Sequence, residues 1–113
     1  MNNFDKINAV LMSNDPVVGL QLMADSGELF DIFPELHDVY TFNKEVGKYH
    51  HLPLWNHTLE VVRNTSARSQ VRWAALFHDV AKPVCWSKTD TGVHYYGHDR
   101  EGARMWSTIA KRI

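Results

Sequence analysis

One stretch constrains this chain more than any other: Val71-Arg72-Trp73-Ala74-Ala75-Leu76-Phe77-His78-Asp79-Val80-Ala81-Lys82-Pro83. Its apolar residues predict a buried helix from Ser69 to Ala81, stopped by Pro83. A fold that buries Trp73, Ala74, Leu76, Phe77 and Val80 also takes in the doublet His78-Asp79. Burying an ionised carboxylate costs several kcal/mol unless positive charge compensates it. A divalent cation is the simplest compensation, because imidazole and carboxylate are both good ligands for it. The plainer reading is a hydrogen-bonded core pair, since an adjacent His-Asp arises readily by chance.

A further ligand favours the metal over the core pair. Successive helical residues point about 100° apart, so an ion shared by His78 and Asp79 lies off the helix flank and needs a group from another element. Leu59, Val61 and Val62 mark a preceding helix that runs to about Ser66, and His57 stands at its start. Antiparallel helices with a short connection bring the start of the first beside the end of the second. His57, His78 and Asp79 are therefore the expected metal ligands. His and carboxylate together suit Mn, Ni, Mg, Fe, Co or Zn, and the sequence does not choose among them.

Around that set stand three further candidates. Lys82, one helical turn past His78, is placed to meet phosphate oxygens as a point charge, and the bland alternative is a solvated helix end near the negative dipole pole. His98 opens the last helix, where backbone N–H groups favour anions. It is a candidate phosphate contact or second-metal ligand, against a simple N-cap. His50 is a candidate for orienting His57 or touching substrate. His37, His51 and His94 read as surface residues.

The rest of the chain reads as helices and breakers. Phe4, Ile7, Val10 and Leu11 recur at helical spacing, and Asp15-Pro16 cap and begin a second helix that ends at Gly27. Glu28 to Phe33 is a short helical turn closed by Pro34. Glu35 to Tyr40 continues as helix or irregular turn, and residues 41–56, with Gly47 and Pro53, read as a loop. Residues 84–97 lack a helical period. There Val84, Trp86, Val93, Tyr95 and Tyr96 flank the turn Thr89-Asp90-Thr91-Gly92 of a hairpin. A last helix, capped by His98 or Asp99, carries the stripe Ala103, Trp106, Ile109 and Ile113. Its uncapped apolar end suggests a homo-oligomer contact through the C-terminal helix. The expected architecture is all-α: one domain over residues 1–113, of five to six helices with one small hairpin in 84–97.

Composition sets the function classes. Apolar residues at 44% and charged residues at 22% describe a globular chain, not a disordered one. The single cysteine, Cys85, allows no internal disulfide and no zinc-finger pattern, which points to a reducing, cytoplasmic setting. The N-terminus lacks a signal-peptide layout, and no apolar run approaches the ~20 residues of a membrane span. A net charge of −1 is too low for a broad DNA-binding surface. Residues 1–56 carry three Lys against eight Asp or Glu, whereas residues 57–113 carry nine Lys or Arg against five. The half that holds the doublet is thus expected to face an anion such as a phosphate.

Four stretches, in order, carry a family resemblance. They are Ser26 to Leu36, with Phe33-Pro34-Glu35-Leu36; Tyr49-His50 through His57-Thr58-Leu59; Ala74 to Pro83; and Tyr96-Gly97-His98 to Ala103. Together they resemble the HD superfamily of metal-dependent phosphohydrolases, and within it the HD domain of bacterial CCA-adding tRNA nucleotidyltransferases. The resemblance implies a helical bundle with a metal held by His57, His78 and Asp79. It implies a phosphohydrolase or phosphodiesterase acting on a nucleotide, cyclic nucleotide or RNA-end phosphate, with Asp79 and Lys82 catalytic and His50 and His98 substrate-binding. The alternative it leaves is a non-catalytic RNA- or partner-binding domain derived from a tRNA nucleotidyltransferase. This chain departs from the family pattern in two places. Ala81 stands where the family carries glycine, and no Asp follows Asp99, so the family's late Asp ligand and its usual C-terminal helices are missing.

Overall fold

The structure, a computed structural model, describes residues 2–42 and 54–113. Its N-terminal part follows its capping residues. Asn2 Oδ1 accepts from the Asp5 N–H at 2.8 Å and opens helix α1 (Asn3–Leu11). Asp15 caps α2 (Pro16–Ser26), with proline in its first turn as expected. Gly27 follows at φ 84°, a left-handed conformation that ends α2 and lets α3 (Glu28–Ile32) leave in a new direction. Phe33, forced out of the helical region by Pro34, sits at φ −127° and separates α3 from α4 (Pro34–Thr41).

The second half pairs two helices. α5 (Leu54–Arg63) buries Leu54, Trp55, Thr58, Leu59 and Val62 along one face. α6 (Ser69–Phe77) packs against it and also against α1. A single turn, α7 (Lys82–Cys85), leads into strands β1 (Trp86–Thr89) and β2 (Gly92–Tyr95). These pair antiparallel with Trp86 opposite Tyr95, which is the expected hairpin. Helix α8 (His98–Arg112) closes the order.

The core runs through all the long helices. Ile7, Leu11, Leu20, Leu29, Phe33, Leu36, Val62, Leu76 and Ile109 are fully enclosed. Phe33 meets Phe77 edge-on at 5.1 Å and Trp73 at 6.2 Å, an arrangement that aromatic quadrupoles favour. Two arginines tie helix ends to this core. Arg72 Nη1 donates to the Leu11 carbonyl at 2.6 Å, and Arg112 makes a two-pronged pair with Glu35 at 2.8 and 2.9 Å.

Several expectations change. Among the described residues there are eight helical segments rather than five to six, because the short stretches Glu28–Ile32, Pro34–Thr41 and Lys82–Cys85 are each helical in their own right. Leu54, Trp55 and Asn56 belong to α5, not to a loop. Helix α6 ends at Phe77, four residues before Ala81, and residues 78–81 form turns closed by i→i−3 bonds, Val80 N–H to Phe77 O and Lys82 N–H to Asp79 O. Neither His98 nor Asp99 caps α8. Gly97 does so at φ 75°, with no side-chain cap, and both residues lie inside the first turn. Ala74 is exposed rather than buried. Ile109 and Ile113 pack against the core of the same chain, so the apolar end of α8 is covered internally. His50, His51, Gly47 and Pro53 lie outside the described residues. No described helix is long and apolar enough to cross a membrane.

Candidate metal centre

The centre lies where the end of α6 returns to the start of α5. His57, on the first turn of α5, points its Nε2 at Asp79 Oδ2 from 3.4 Å. His78 Nε2 stands 2.8 Å from the same oxygen and 3.4 Å from His57 Nε2. Three atoms that can each donate a lone pair therefore face a common point. They form the only such His, Cys, Asp and Glu group among the described residues.

The early end of α6 makes this convergence. With His78 as the last helix-like residue and the following turns tightened, both side chains of the doublet come to one side. His78 Nδ1 donates to the Ala75 carbonyl at 2.6 Å. That bond keeps a proton on Nδ1, so in the neutral imidazole, the form that binds a metal, the Nε2 lone pair faces Asp79 (a backbone carbonyl is a usual partner of a metal-ligating histidine).

Burial and charge are shared unequally. The Asp79 side chain keeps 7% of its surface, whereas the rings of His57 and His78 are half-buried and reach the surface. Lys82, also buried, holds Nζ 3.3 Å from Oδ2 and 5.1 Å over the Tyr95 ring. Burial pushes the Asp79 carboxyl up, but the close approach and charge of His78, joined by Lys82, outweigh it and hold the carboxyl at about 2. Burial pulls His78 down, and the nearby Asp79 and the Ala75 carbonyl more than offset it, so the imidazole titrates above its ordinary value.

Even so, Asp79 Oδ2 is a buried oxygen with no hydrogen-bond donor. His78 and Lys82 are close enough, but neither is aligned to donate to it. A buried charged acceptor of this kind calls for an explanation, and a bound ion is one that also suits the two imidazole nitrogens facing it. Bonds of about 2.1 Å meeting at tetrahedral or right angles put ligand atoms about 3.0–3.4 Å apart. A cation fits the two separations of 3.4 Å, and the His78–Asp79 separation of 2.8 Å is about 0.2 Å short of the range. Three protein ligands leave further coordination positions for water or substrate, as in catalytic sites.

The other sequence candidates separate. His98 is not among the three converging atoms. Its Nδ1 donates to the Tyr95 carbonyl at 3.0 Å, its Nε2 lies 3.1 Å from Asp99, and the residue lines a cavity that His78 also lines. His50 lies outside the described residues. What residue reasoning missed is that cavity, walled by Phe4, Trp73, Phe77 and Trp106. The signal available was aromatic spacing, which the helical pattern absorbed as core.

Comparison with known proteins places the chain. It is 34% identical to the A-adding tRNA nucleotidyltransferase of Deinococcus radiodurans, across 96% of this chain and 26% of that protein. It is likewise 34% identical to the CC-adding tRNA nucleotidyltransferase of Thermus thermophilus, across 89% of this chain and 24% of that one. It is 26% identical to the multifunctional CCA protein of Pseudomonas fluorescens, across 98% and 27%. Over this length the chain is similar to tRNA nucleotidyltransferases. It spans about a quarter of the length of the curated relatives it matches. No protein-family model matches the chain, and no solved structure does.

Proposed function

We propose that the chain is an RNA-directed domain of the tRNA nucleotidyltransferase kind, holding one divalent cation at His57, His78 and Asp79. One observation carries the cation: the buried Asp79 oxygen that lacks a donor and is faced by two imidazole nitrogens. The similarity to A-adding and CC-adding tRNA nucleotidyltransferases supports an RNA end as the partner. The HD superfamily is the fold family this reading implies. When bound, the cation supplies a Lewis acid to a phosphoryl oxygen and acidifies a water. Asp79 stays ionised through the physiological range and so keeps its charge for the cation. The Ala75 carbonyl holds the His78 ring in the orientation that presents Nε2.

Metal analysis of the purified chain tests the reading. The expected result is about one ion of Mn, Ni, Co, Fe, Zn or Mg per chain, with affinity for labelled tRNA in its presence. His57→Ala and Asp79→Ala should each lose the ion. Unchanged metal content in both variants overturns the site, and no measurable affinity for tRNA overturns the RNA partner.

A second reading, phosphohydrolase or phosphodiesterase action at the same centre, is favoured by Lys82. Its ammonium lies 3.3 Å from Asp79, where it adds a positive point charge beside the place a phosphate would meet the cation. Bis-p-nitrophenyl phosphate, 2′,3′-cyclic nucleotides and nucleoside monophosphates, assayed with Mn or Ni, are the substrates to try. Turnover that survives Asp79→Ala belongs to some other site or protein.

A further inference from the structure

Lys82 keeps only 8% of its surface. Lysine is almost never buried so far unless its charge is paired. The backbone supplies the pair locally. The turns after α6 close with the Lys82 N–H bonded to the Asp79 carbonyl at 3.1 Å. The two side chains, three residues apart, meet with Nζ 3.3 Å from Asp79 Oδ2. The hairpin supplies a second neighbour. Tyr95, opposite Trp86 in the strand pair, sets the centre of its ring 5.1 Å from Nζ, close enough for the ring face to attract a cation. The Tyr95 carbonyl accepts from His98 Nδ1 at 3.0 Å, which ties the end of β2 to the start of α8. The ammonium is thus held between a carboxylate and a ring.

The oxygen that Lys82 faces is the one that His57 and His78 face, from 3.4 and 2.8 Å. A divalent cation bound about 2.1 Å from Oδ2 would stand within about 5.4 Å of Nζ, the two separations laid end to end. Positive charges that close, away from bulk water, repel one another and are little screened. Without a cation, the same ammonium offsets a buried carboxylate that would otherwise be uncompensated. Lys82 therefore acts in opposite directions on folding and on metal binding. A lysine that assisted the metal by orienting its ligand would donate a hydrogen bond to the carboxylate oxygen. Oδ2 receives none, so what Lys82 contributes there is charge rather than alignment.

We infer that Lys82 is a built-in counter-ion that competes with the divalent cation for Asp79 and so keeps the hold on the metal weak and exchangeable. The inference rests on the cation reading proposed above. Loading of the centre then follows the supply of the free ion, and the fold keeps its charge balance when the ion leaves. The Tyr95 ring keeps the ammonium at its post beside the carboxylate.

Calorimetric titration with Mn of the wild type, Lys82→Met, Lys82→Gln and Lys82→Arg tests this, together with thermal melting in chelator and in Mn. The two neutral variants should bind Mn at least about 5-fold more tightly than the wild type, the small end of ordinary coupling between two bound groups. Lys82→Arg keeps the charge and should bind no more tightly than the wild type. In chelator the neutral variants should melt below the wild type, because Asp79 has lost its counter-charge. Saturating Mn should close that gap. Mn binding that is equal or weaker in both neutral variants overturns the inference. A gain in Lys82→Arg as large as theirs also overturns it, since shape rather than charge would then set the affinity. Where one neutral variant fails to fold, the other carries the comparison. Neutral variants that both fold only in Mn show the same competition in its strongest form, and failure of both to fold even in Mn overturns it, because the cation would not have replaced the ammonium. Absence of Mn uptake in the wild type and all variants overturns the cation reading itself, whereas uptake that the neutral variants do not tighten overturns the role of Lys82 alone.

Discussion

Arg72 is a buried guanidinium that closes the end of another helix. Its Nη1 donates to the carbonyls of Leu11 and Ser13, at 2.6 and 3.3 Å, where α1 has run out of internal donors. Arg72→Met would leave the buried Leu11 carbonyl without a partner, a loss of about 1–3 kcal/mol. Arg72 Nε is itself buried without an acceptor, and the substitution removes that cost, so the loss should fall in the lower part of the range. A lower urea midpoint with an unchanged m-value would show it. Asp79 works by the same physics at higher stakes, because its unsatisfied atom carries charge. That Asp79 is buried was legible from its apolar surroundings, whereas His78 beside it is exposed. That Lys82 is buried against Asp79 and Tyr95 was not, since a lysine after a helix ordinarily reads as solvated.

At the level of elements, the junctions carry the stability. Gly27 at φ 84° serves both the end of α2 and the start of α3. A Cβ there would meet nothing within 4 Å, so the cost of Gly27→Ala is conformational alone, about 1–2 kcal/mol. Chemical denaturation of the variant measures it directly, and a neutral result would mean the junction can relax. Helix α8 is tied to α4 by Arg112 and Glu35. The paired guanidinium, opposed by partial burial, holds the Glu35 carboxyl below its usual range. A carboxyl depressed by folding adds stability above its unfolded pKa and loses it as pH falls through the lower folded value. The pair is partly exposed, so about 0.5–1 kcal/mol is at stake. Glu35→Gln should lower the melting temperature at pH 7 and leave it nearly unchanged at pH 3. An equal difference at both pH values would mean the pair adds no charge-dependent stability.

For the molecule as a whole, a cation that binds only the folded state adds stability by mass action. A concentration 100-fold above Kd contributes about 2.7 kcal/mol, a rise on the order of 10 °C for a domain of this size. Scanning calorimetry with added Mn or Ni should show that rise, a chelator should reverse it, and His57→Ala should abolish it. A wild-type melting temperature indifferent to metal and chelator would remove the cation from the account. The same whole-molecule view explains the aromatic cavity. Phe4 and Trp106 lie about a hundred residues apart, and each belongs to an apolar stripe of its own helix. Nothing local tells a ring bound for the core from one left at a cavity wall.

The sequence by itself determined the helices, the caps at Asp15 and Gly27, the hairpin at Asp90-Thr91 and the identity of the three metal-ligand candidates. All but the last are read from neighbours within a few positions, where propensity, capping and periodicity act, and the ligand set follows from pairing two consecutive helices end to start. Only the tertiary structure decided that α6 stops at Phe77. It alone brings His57 Nε2, His78 Nε2 and Asp79 Oδ2 within 3.4 Å of one another and leaves that oxygen without a donor. Those facts depend on how α5 returns beside α6 and on which buried atoms find partners. Packing of the whole chain sets both.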